Sequence, residues 1–232
     1  DLGAIIGRTP GSVSQKLSNV SAVLDGLEMA WTRGLKPRAN LQQSLIDAVE
    51  RYLDFNPQLV FGSAPAAKEV LLEEEAPPPL GKPKPAIDRK LERIARKYNY
   101  AERDFRNRAL GRSGEEVIFL NERRRLAALG KEKLSEKVEW TSRDKGDGVG
   151  YDIRSFDASG AELLIEVKTT NGPRTTDFFL SKTEFEVAKE RPDAWRLYRL
   201  HSFSKKPGLF VLPPPLSETA RLSVENWRVS VG

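Results

Sequence analysis

Residues 150–170 read Gly-Tyr-Asp-Ile-Arg-Ser-Phe-Asp-Ala-Ser-Gly-Ala-Glu-Leu-Leu-Ile-Glu-Val-Lys-Thr-Thr. Two strand-forming runs, Gly150 to Phe156 and Glu162 to Thr170, flank Asp157-Ala158-Ser159-Gly160-Ala161. A short loop with Gly between such runs predicts a β-hairpin. With Phe156 facing Glu162, the register sets Asp152 opposite Glu166. Side chains alternate along a strand, so Lys168 shares the face of Glu166. Leu163, Ile165 and Val167 share the other face with Tyr151, Ile153 and Ser155. One face of a mostly apolar hairpin is thus expected to gather Asp152, Glu166 and Lys168.

That trio has a direct chemical use. Two neighbouring carboxylates repel unless a divalent cation lies between them, and oxygen ligands select Mg²⁺ or Mn²⁺. Asp152 and Glu166 are therefore the expected metal ligands. A cation held there polarises a phosphate oxygen and lowers the pKa of a water nucleophile. A nearby Lys orients that water or offsets charge developing on the phosphate. Composition agrees, because the 232 residues include no Cys and one His. A disulfide scaffold, thiolate catalysis, Cys-ligated zinc and His-rich metal sites are excluded, and no organic cofactor is expected. The single His201 is expected to be structural or at the surface.

Upstream, Leu110 to Gly130 predicts a helix stopped by Gly130. At about 100° per residue, Glu115, Phe119, Glu122, Leu126 and Leu129 form one stripe, with Ile118 beside it. Glu115 then sits on an apolar face, where an ionised acid is costly unless paired or bound to metal. Lys137 to Thr141 predicts the first of three strands. Ser181 and Glu184 form an S-x-x-E capping box that opens a second helix. Ala194 to Phe203 predicts a fourth strand, and Pro213-Pro214-Pro215 breaks the chain before a last strand near Trp227. The order is αβββαβ, an α/β fold.

The N-terminal part has a different texture. Residues 61–88 are dense in Pro, which predicts a linker between a helical domain over 1–60 and a larger domain over 89–232, whose first stretch, 89–108, is charged and helical in pattern. Leu2 to Ile6 predicts a short helix stopped by Gly7, and Thr9-Pro10 an N-cap followed by Pro at the first helical position. The next helix buries Val13, Leu17 and Val20 and shows Ser12, Ser14, Gln15, Lys16 and Asn19 on its other face. Helix, tight turn and capped second helix describe a helix-turn-helix, whose second helix enters the DNA major groove. A further helix over Gln42 to Asp54 completes a small all-α bundle. The net charge of +5 is concentrated in residues 91–150, around Arg103, Arg106, Arg108, Arg112 and Arg123-Arg124-Arg125. A clustered excess of this sign suits a polyanion such as nucleic acid.

Two resemblances rest on these residues. Ile6 to Asn19 resembles the DNA-binding region found ahead of nuclease domains in bacterial restriction endonucleases. That resemblance implies that Arg8, Ser12, Ser14, Gln15, Lys16 and Asn19 face DNA; such regions usually have about one more helix before this point, so the chain is expected to start inside the motif, either truncated or incompletely ordered there. Asp152 with Glu166-Val167-Lys168 resembles the PD-(D/E)xK nuclease superfamily. Together with Gly111 to Glu116, Phe178 to Glu184 and Leu197-Tyr198-Arg199, the set is similar to the domain at the C-terminus of plant NO VEIN proteins and in many bacterial defence proteins. Tyr151 stands where the superfamily pattern has Pro. The resemblance implies a restriction-endonuclease-like core, with Asp152 and Glu166 as ligands, Lys168 as catalyst and Glu115 as an added active-site acid.

The expectation is therefore a Mg²⁺- or Mn²⁺-dependent endonuclease acting on double-stranded DNA in bacterial defence. One site per chain and double-strand cutting imply a homodimer, or transient pairing of two copies on DNA. A catalytically silent DNA-binding protein and an RNA-processing nuclease are the alternatives; a helix-turn-helix favours DNA, since the A-form major groove is too narrow for a helix. No run approaches the roughly 18 apolar residues of a membrane span. Asp1-Leu2-Gly3 lacks a secretory pattern, so the bacterial cytoplasm is the expected compartment. If residues 8–20 dock on DNA, Lys16→Ala or Gln15→Ala weakens binding, and loss of a phosphate contact lowers the salt slope by about one unit. Unchanged affinity and slope in a fluorescence titration of both variants remove the reader assignment.

Overall fold

The computed structural model describes residues 5, 7–26, 31–32, 34–38, 41–56, 72–80, 101–204 and 206–224, with 101–107 and 147 described by their backbone alone. The expected helix over 2–6, apart from Ile5, most of the expected linker, the stretch 89–100 and the expected strand near Trp227 lie outside the described residues. The described residues separate into two compact units. One holds helices α1 (Pro10–Gly26) and α2 (Gln43–Phe55). The other holds all the strands and the chain from Gly111 onward.

In the first unit, Thr9 caps α1 through its Oγ1, which accepts the Ser12 N–H at 3.3 Å. Pro10 follows at the first helical position, where its missing N–H leaves nothing unsatisfied. Gly7 takes φ +62°, a left-handed conformation that glycine adopts without Cβ strain. Val23 and Ile46 pack together, with Leu41, Leu45 and Val49 around them. Burial changes along α1 rather than around it. Residues 14–17 are exposed, including Leu17, which was expected inside, whereas Ser18, Asn19, Ser21 and Val23 are buried.

The second unit is built on a six-stranded mixed sheet. Its strands are β1 (Glu74–Glu75), β2 (Glu139–Trp140), β3 (Ile153–Phe156), β4 (Glu162–Thr169), β5 (Trp195–His201) and β6 (Gly208–Leu212), in spatial order β1-β6-β5-β4-β3-β2. β2, β3 and β4 are antiparallel neighbours, and β4 and β5 run parallel. A parallel pair needs a crossover, here made by α6 (Lys182–Glu190). Helix, three strands, helix and strand thus follow in the order read from the sequence. β6 was not anticipated, although Gly208-Leu-Phe-Val-Leu212 is a plain strand run. β1 lies within the segment read as linker and adds a parallel edge strand to β6.

Helix α3 runs unbroken from Ala101 to Ala128, longer than the expected 110–130, and from Gly111 onward it packs on one face of the sheet. Its end follows the expected signal, with Gly130 at φ +68° and the Lys131 N–H on Leu126 O at 2.9 Å. Leu129, predicted on the buried stripe, is exposed because the helix has already ended there. Glu122 is fully buried and satisfied: Arg125 grips it with Nε and Nη2 at 3.1 and 2.6 Å, and Ser155 Oγ of β3 donates at 2.7 Å. Arg125 also donates to Phe156 O. On the opposite face Leu164, Trp195, Leu197, Phe210 and Leu212 form an apolar core with Ala188 of α6.

Among the described residues the short helices are α4 (Glu132–Glu136), α5 (Thr141–Lys145) and α7 (Leu216–Thr219), with a 3₁₀ turn at Asp147–Val149. The predicted strand 137–141 shortens to two residues because the chain turns into α5 at Thr141. Gly114 marks the closest approach of α3 to the sheet: a Cβ there would overlap both Oγ1 and Cβ of Thr169. A rotamer change of Thr169 cannot relieve both clashes. Gly114→Ala is expected to destabilise the fold by about 1–3 kcal/mol, as overpacking does, measured by urea unfolding. An unchanged midpoint contradicts this packing.

Candidate functional site

The β3–β4 hairpin has the predicted register, with Phe156 paired to Glu162 and Ile153 to Ile165. The ladder then stops one residue short of the expectation that Asp152 lies directly opposite Glu166. The Asp152 N–H donates to Ile165 O at 2.9 Å, a one-residue slip of the kind a β-bulge makes. Its carboxylate Oδ2 instead accepts the backbone N–H of Val167 at 2.8 Å. Asp152 is thus tied to β4 twice, by its backbone N–H on Ile165 and by its carboxylate on Val167. The slip re-aims the acid without separating it from the neighbouring charges.

Glu166 and Lys168 lie two residues apart on β4, and Lys168 Nζ meets Glu166 Oε1 at 2.7 Å. Lys168 Nζ also meets Glu184 Oε2 at 2.8 Å. Glu184 belongs to the capping box of α6: its Oε2 accepts the Ser181 N–H at 3.0 Å, and Ser181 Oγ accepts the Glu184 N–H at 3.2 Å. The sequence marks Glu184 as a cap but carries no sign of its contact with Lys168, which lies 16 residues away. Beside Lys168 on β5 stands Arg199, in register and fully buried. Its guanidinium donates to Thr176 O at 2.9 Å and lies over the Phe178 ring at 5.0 Å.

Glu115 reaches the cluster from α3. Trp140 Nε1 and Ser142 Oγ both donate to its Oε2, at 2.8 and 2.5 Å. Trp140 in turn packs against Phe119, with ring centroids 5.8 Å apart. The acid on the half-apolar helix face is therefore held by two donors from β2 and α5, contacts that carry no signal in the sequence.

Electrostatics agree with a crowded acidic site. Burial, followed by the charge of Glu115, pushes the Asp152 carboxyl up to about 7. Burial also holds Glu166 well above the usual carboxylate range; Lys168 opposes that rise, while Asp152 and Glu184 add to it. Lys168 is buried too, yet Glu166 and Glu184 more than offset the desolvation and raise its pKa. Perturbed groups of this kind gather where structure is built for chemistry.

Asp152 and Glu166 fit a Mg²⁺ ion in donor type, since Mg²⁺ takes one or two carboxylates and completes its shell with water and phosphate. Among the described residues no group of three or more His, Cys, Asp or Glu side chains forms a metal cage. His201 packs against Phe210 at the end of β5, buried and away from these acids, as a structural residue. In the helical unit Arg8, Ser12, Ser14, Gln15 and Lys16 are exposed, and Lys16 Nζ donates to Gln42 Oε1. Asn19 departs from its expected exposed position: it is 8% exposed and lies with Ser18, Ser21 and Val23 in the buried stretch of α1.

A family model described as Protein NO VEIN, C-terminal, matches residues 114–212. That span runs from Gly114 on α3 to the last residue of β6 and contains every member of the cluster. Neither a curated protein nor a solved structure matches the chain. No helix among the described residues is long and apolar enough to cross a membrane.

The raised Asp152 pKa has a stability consequence. An acid that binds its proton more tightly when folded stabilises the fold below its unfolded pKa of about 3.9, and that contribution is lost as pH rises to about 7. Asp152→Asn retains an oxygen for the Val167 N–H and removes the charge. In metal-free buffer it is expected to melt several degrees above wild type at pH 8 (about 2–4 °C per kcal/mol at this size). At pH 4 the difference should close. A difference independent of pH would mean that Asp152 is not strained by its charge.

Proposed function

We propose that this protein is a Mg²⁺- or Mn²⁺-dependent endonuclease of restriction type, with a restriction-endonuclease-like PD-(D/E)xK core. It hydrolyses phosphodiester bonds of double-stranded DNA, in bacterial defence against foreign or modified DNA. The helical unit is its helix-turn-helix DNA reader, contacting DNA through the exposed Arg8, Ser12, Ser14, Gln15 and Lys16. Two copies pair on the duplex so that both strands are cut, in the bacterial cytoplasm.

The observation that carries this reading is the convergence of Asp152, Glu166 and Lys168 on one hairpin, two acids and one ammonium in mutual electrostatic reach. The order of helices and strands and the NO VEIN C-terminal match over 114–212 support it. Asp152 and Glu166 hold the cation, which when bound supplies a polarised phosphate oxygen and a more acidic water. Lys168 has only N–H donors and so is not a ligand. Its ammonium faces the phosphate, where it offsets the negative charge that grows in the transition state. Glu115, fixed by Trp140 and Ser142, adds a third acid and orients water.

The test is incubation of the protein with Mg²⁺ and with modified or unmodified plasmid DNA, followed by sequencing of the ends. Lys168→Ala is expected to lower single-turnover cleavage by about 10²–10³, as loss of one transition-state donor does, with DNA and metal affinity near wild type. Asp152→Ala should weaken calorimetric Mg²⁺ or Mn²⁺ binding as well as cleavage. Wild-type cutting by Lys168→Ala would sink the mechanism, and unimpaired metal binding by Asp152→Ala would sink the ligand assignment.

A further inference from the structure

We infer that Glu184 is a positioning residue for Lys168: its carboxylate on α6 fixes the direction of the Lys168 ammonium and ties that direction to the cap of the helix. This inference rests on the nuclease reading for its consequence and on geometry alone for its contact.

An ammonium has three N–H donors on a freely rotating stem. In Lys168 one meets Glu166 Oε1 at 2.7 Å and another meets Glu184 Oε2 at 2.8 Å. With a single acceptor the group would still turn about that contact. With two acceptors on different elements, β4 and α6, the third N–H has one remaining direction, and it is the donor free to face a phosphate or a water. Glu166 cannot do this alone, because in the proposed reaction it also serves a cation. Glu184 has no such second duty. Its carboxylate is held by the backbone of the cap, where the same Oε2 accepts the Ser181 N–H at 3.0 Å; the Ser181 hydroxyl accepts the Glu184 backbone N–H and so caps the helix without touching that carboxylate. All three side chains are largely buried, with 20%, 4% and 16% exposure for Lys168, Glu166 and Glu184, so water competes weakly for these contacts.

The two tasks of Glu184 can be separated by substitution. Gln serves a capping box as well as Glu does, and its amide oxygen still accepts the Ser181 N–H, but a neutral amide no longer holds the Lys168 ammonium as a carboxylate does. Glu184→Gln therefore preserves the helix and removes the charge that holds the ammonium. Ser181→Ala does the reverse: it removes the hydroxyl acceptor of the cap and leaves Lys168 with both carboxylates. Misplacing a reacting group by a fraction of an ångström to an ångström costs up to about 10² in rate.

The experiment compares wild type, Glu184→Gln and Ser181→Ala in single-turnover plasmid cleavage, DNA affinity, Mg²⁺ affinity and thermal melting. Glu184→Gln is expected to cut about 10²-fold more slowly at saturating DNA, with both affinities and the melting temperature at wild-type values. Ser181→Ala is expected to melt lower and to cut at the wild-type rate below its transition. Wild-type cutting by Glu184→Gln overturns the inference, as does a rate loss that only follows a fall in melting temperature. If wild-type protein cuts no DNA, the nuclease reading fails, and the contact is read instead from the ¹⁵N–¹H signal of the Lys168 ammonium. That signal should be protected from water exchange in wild type and lose its protection in Glu184→Gln; equal exchange in both overturns the inference.

Discussion

The β3–β4 hairpin closes at Asp157, whose carboxylate accepts the N–H groups of Ser159 and Ala161 at 2.8 and 2.9 Å while Gly160 turns the chain at φ +93°. That closure fixes the pairing of Phe156 with Glu162 and of Ile153 with Ile165. A slip of one residue would turn every side chain of β4 to the other face, sending Glu166 and Lys168 under α3 and Ile165 and Val167 toward α6. The order of the two buried layers and the place of the acidic cluster both depend on this one turn. The slip that does occur, at Asp152, lies at the far end of the ladder, where it moves a single carboxylate onto the Val167 N–H.

Two sets of buried charge lie on opposite sides of the sheet and are treated differently. Glu122 is matched by a bidentate Arg125 and by Ser155, so its lone pairs are occupied and its burial holds α3 to β3. Removal of Arg125 would leave the buried Glu122 an uncompensated charge, the costly case for a buried pair. Around Lys168 the balance is different. Glu166 and Glu184 share one ammonium, and Asp152 and Glu115 add further negative charge nearby. An excess of acid inside a fold is destabilising by itself and is the kind of local conflict that accompanies a working site. It is also what a divalent cation relieves.

The acidic site is assembled from supports that do no chemistry themselves. Trp140 and Ser142 hold Glu115, the Val167 N–H holds Asp152, and the cap of α6 holds Glu184. Each support comes from a different element, so the positions of the acids report the docking of β2, α5, β4 and α6 together. Gly114 allows the approach of α3 on which the Glu115 contacts depend.

Local rules made much of this legible in advance. Alternation and the Gly160 loop determine the hairpin and its register, Gly130 determines where α3 ends, and Ser181 with Glu184 determines how α6 begins. These are short-range effects, set by residues within a few positions of one another. The sequence also places Glu166 and Lys168 on one face, because that follows from period two alone. It does not reveal the slip at Asp152, the anchoring of Glu115 by Trp140, or the second partner of Lys168. Nor does it show that Asn19 is enclosed while Leu17 faces water, since helical phase tells which residues share a face and not what packs against it. Those features join residues far apart in the chain and exist only once helices have docked on the sheet or on each other. Their energies come from burial and from contacts between elements, which a one-dimensional pattern does not contain.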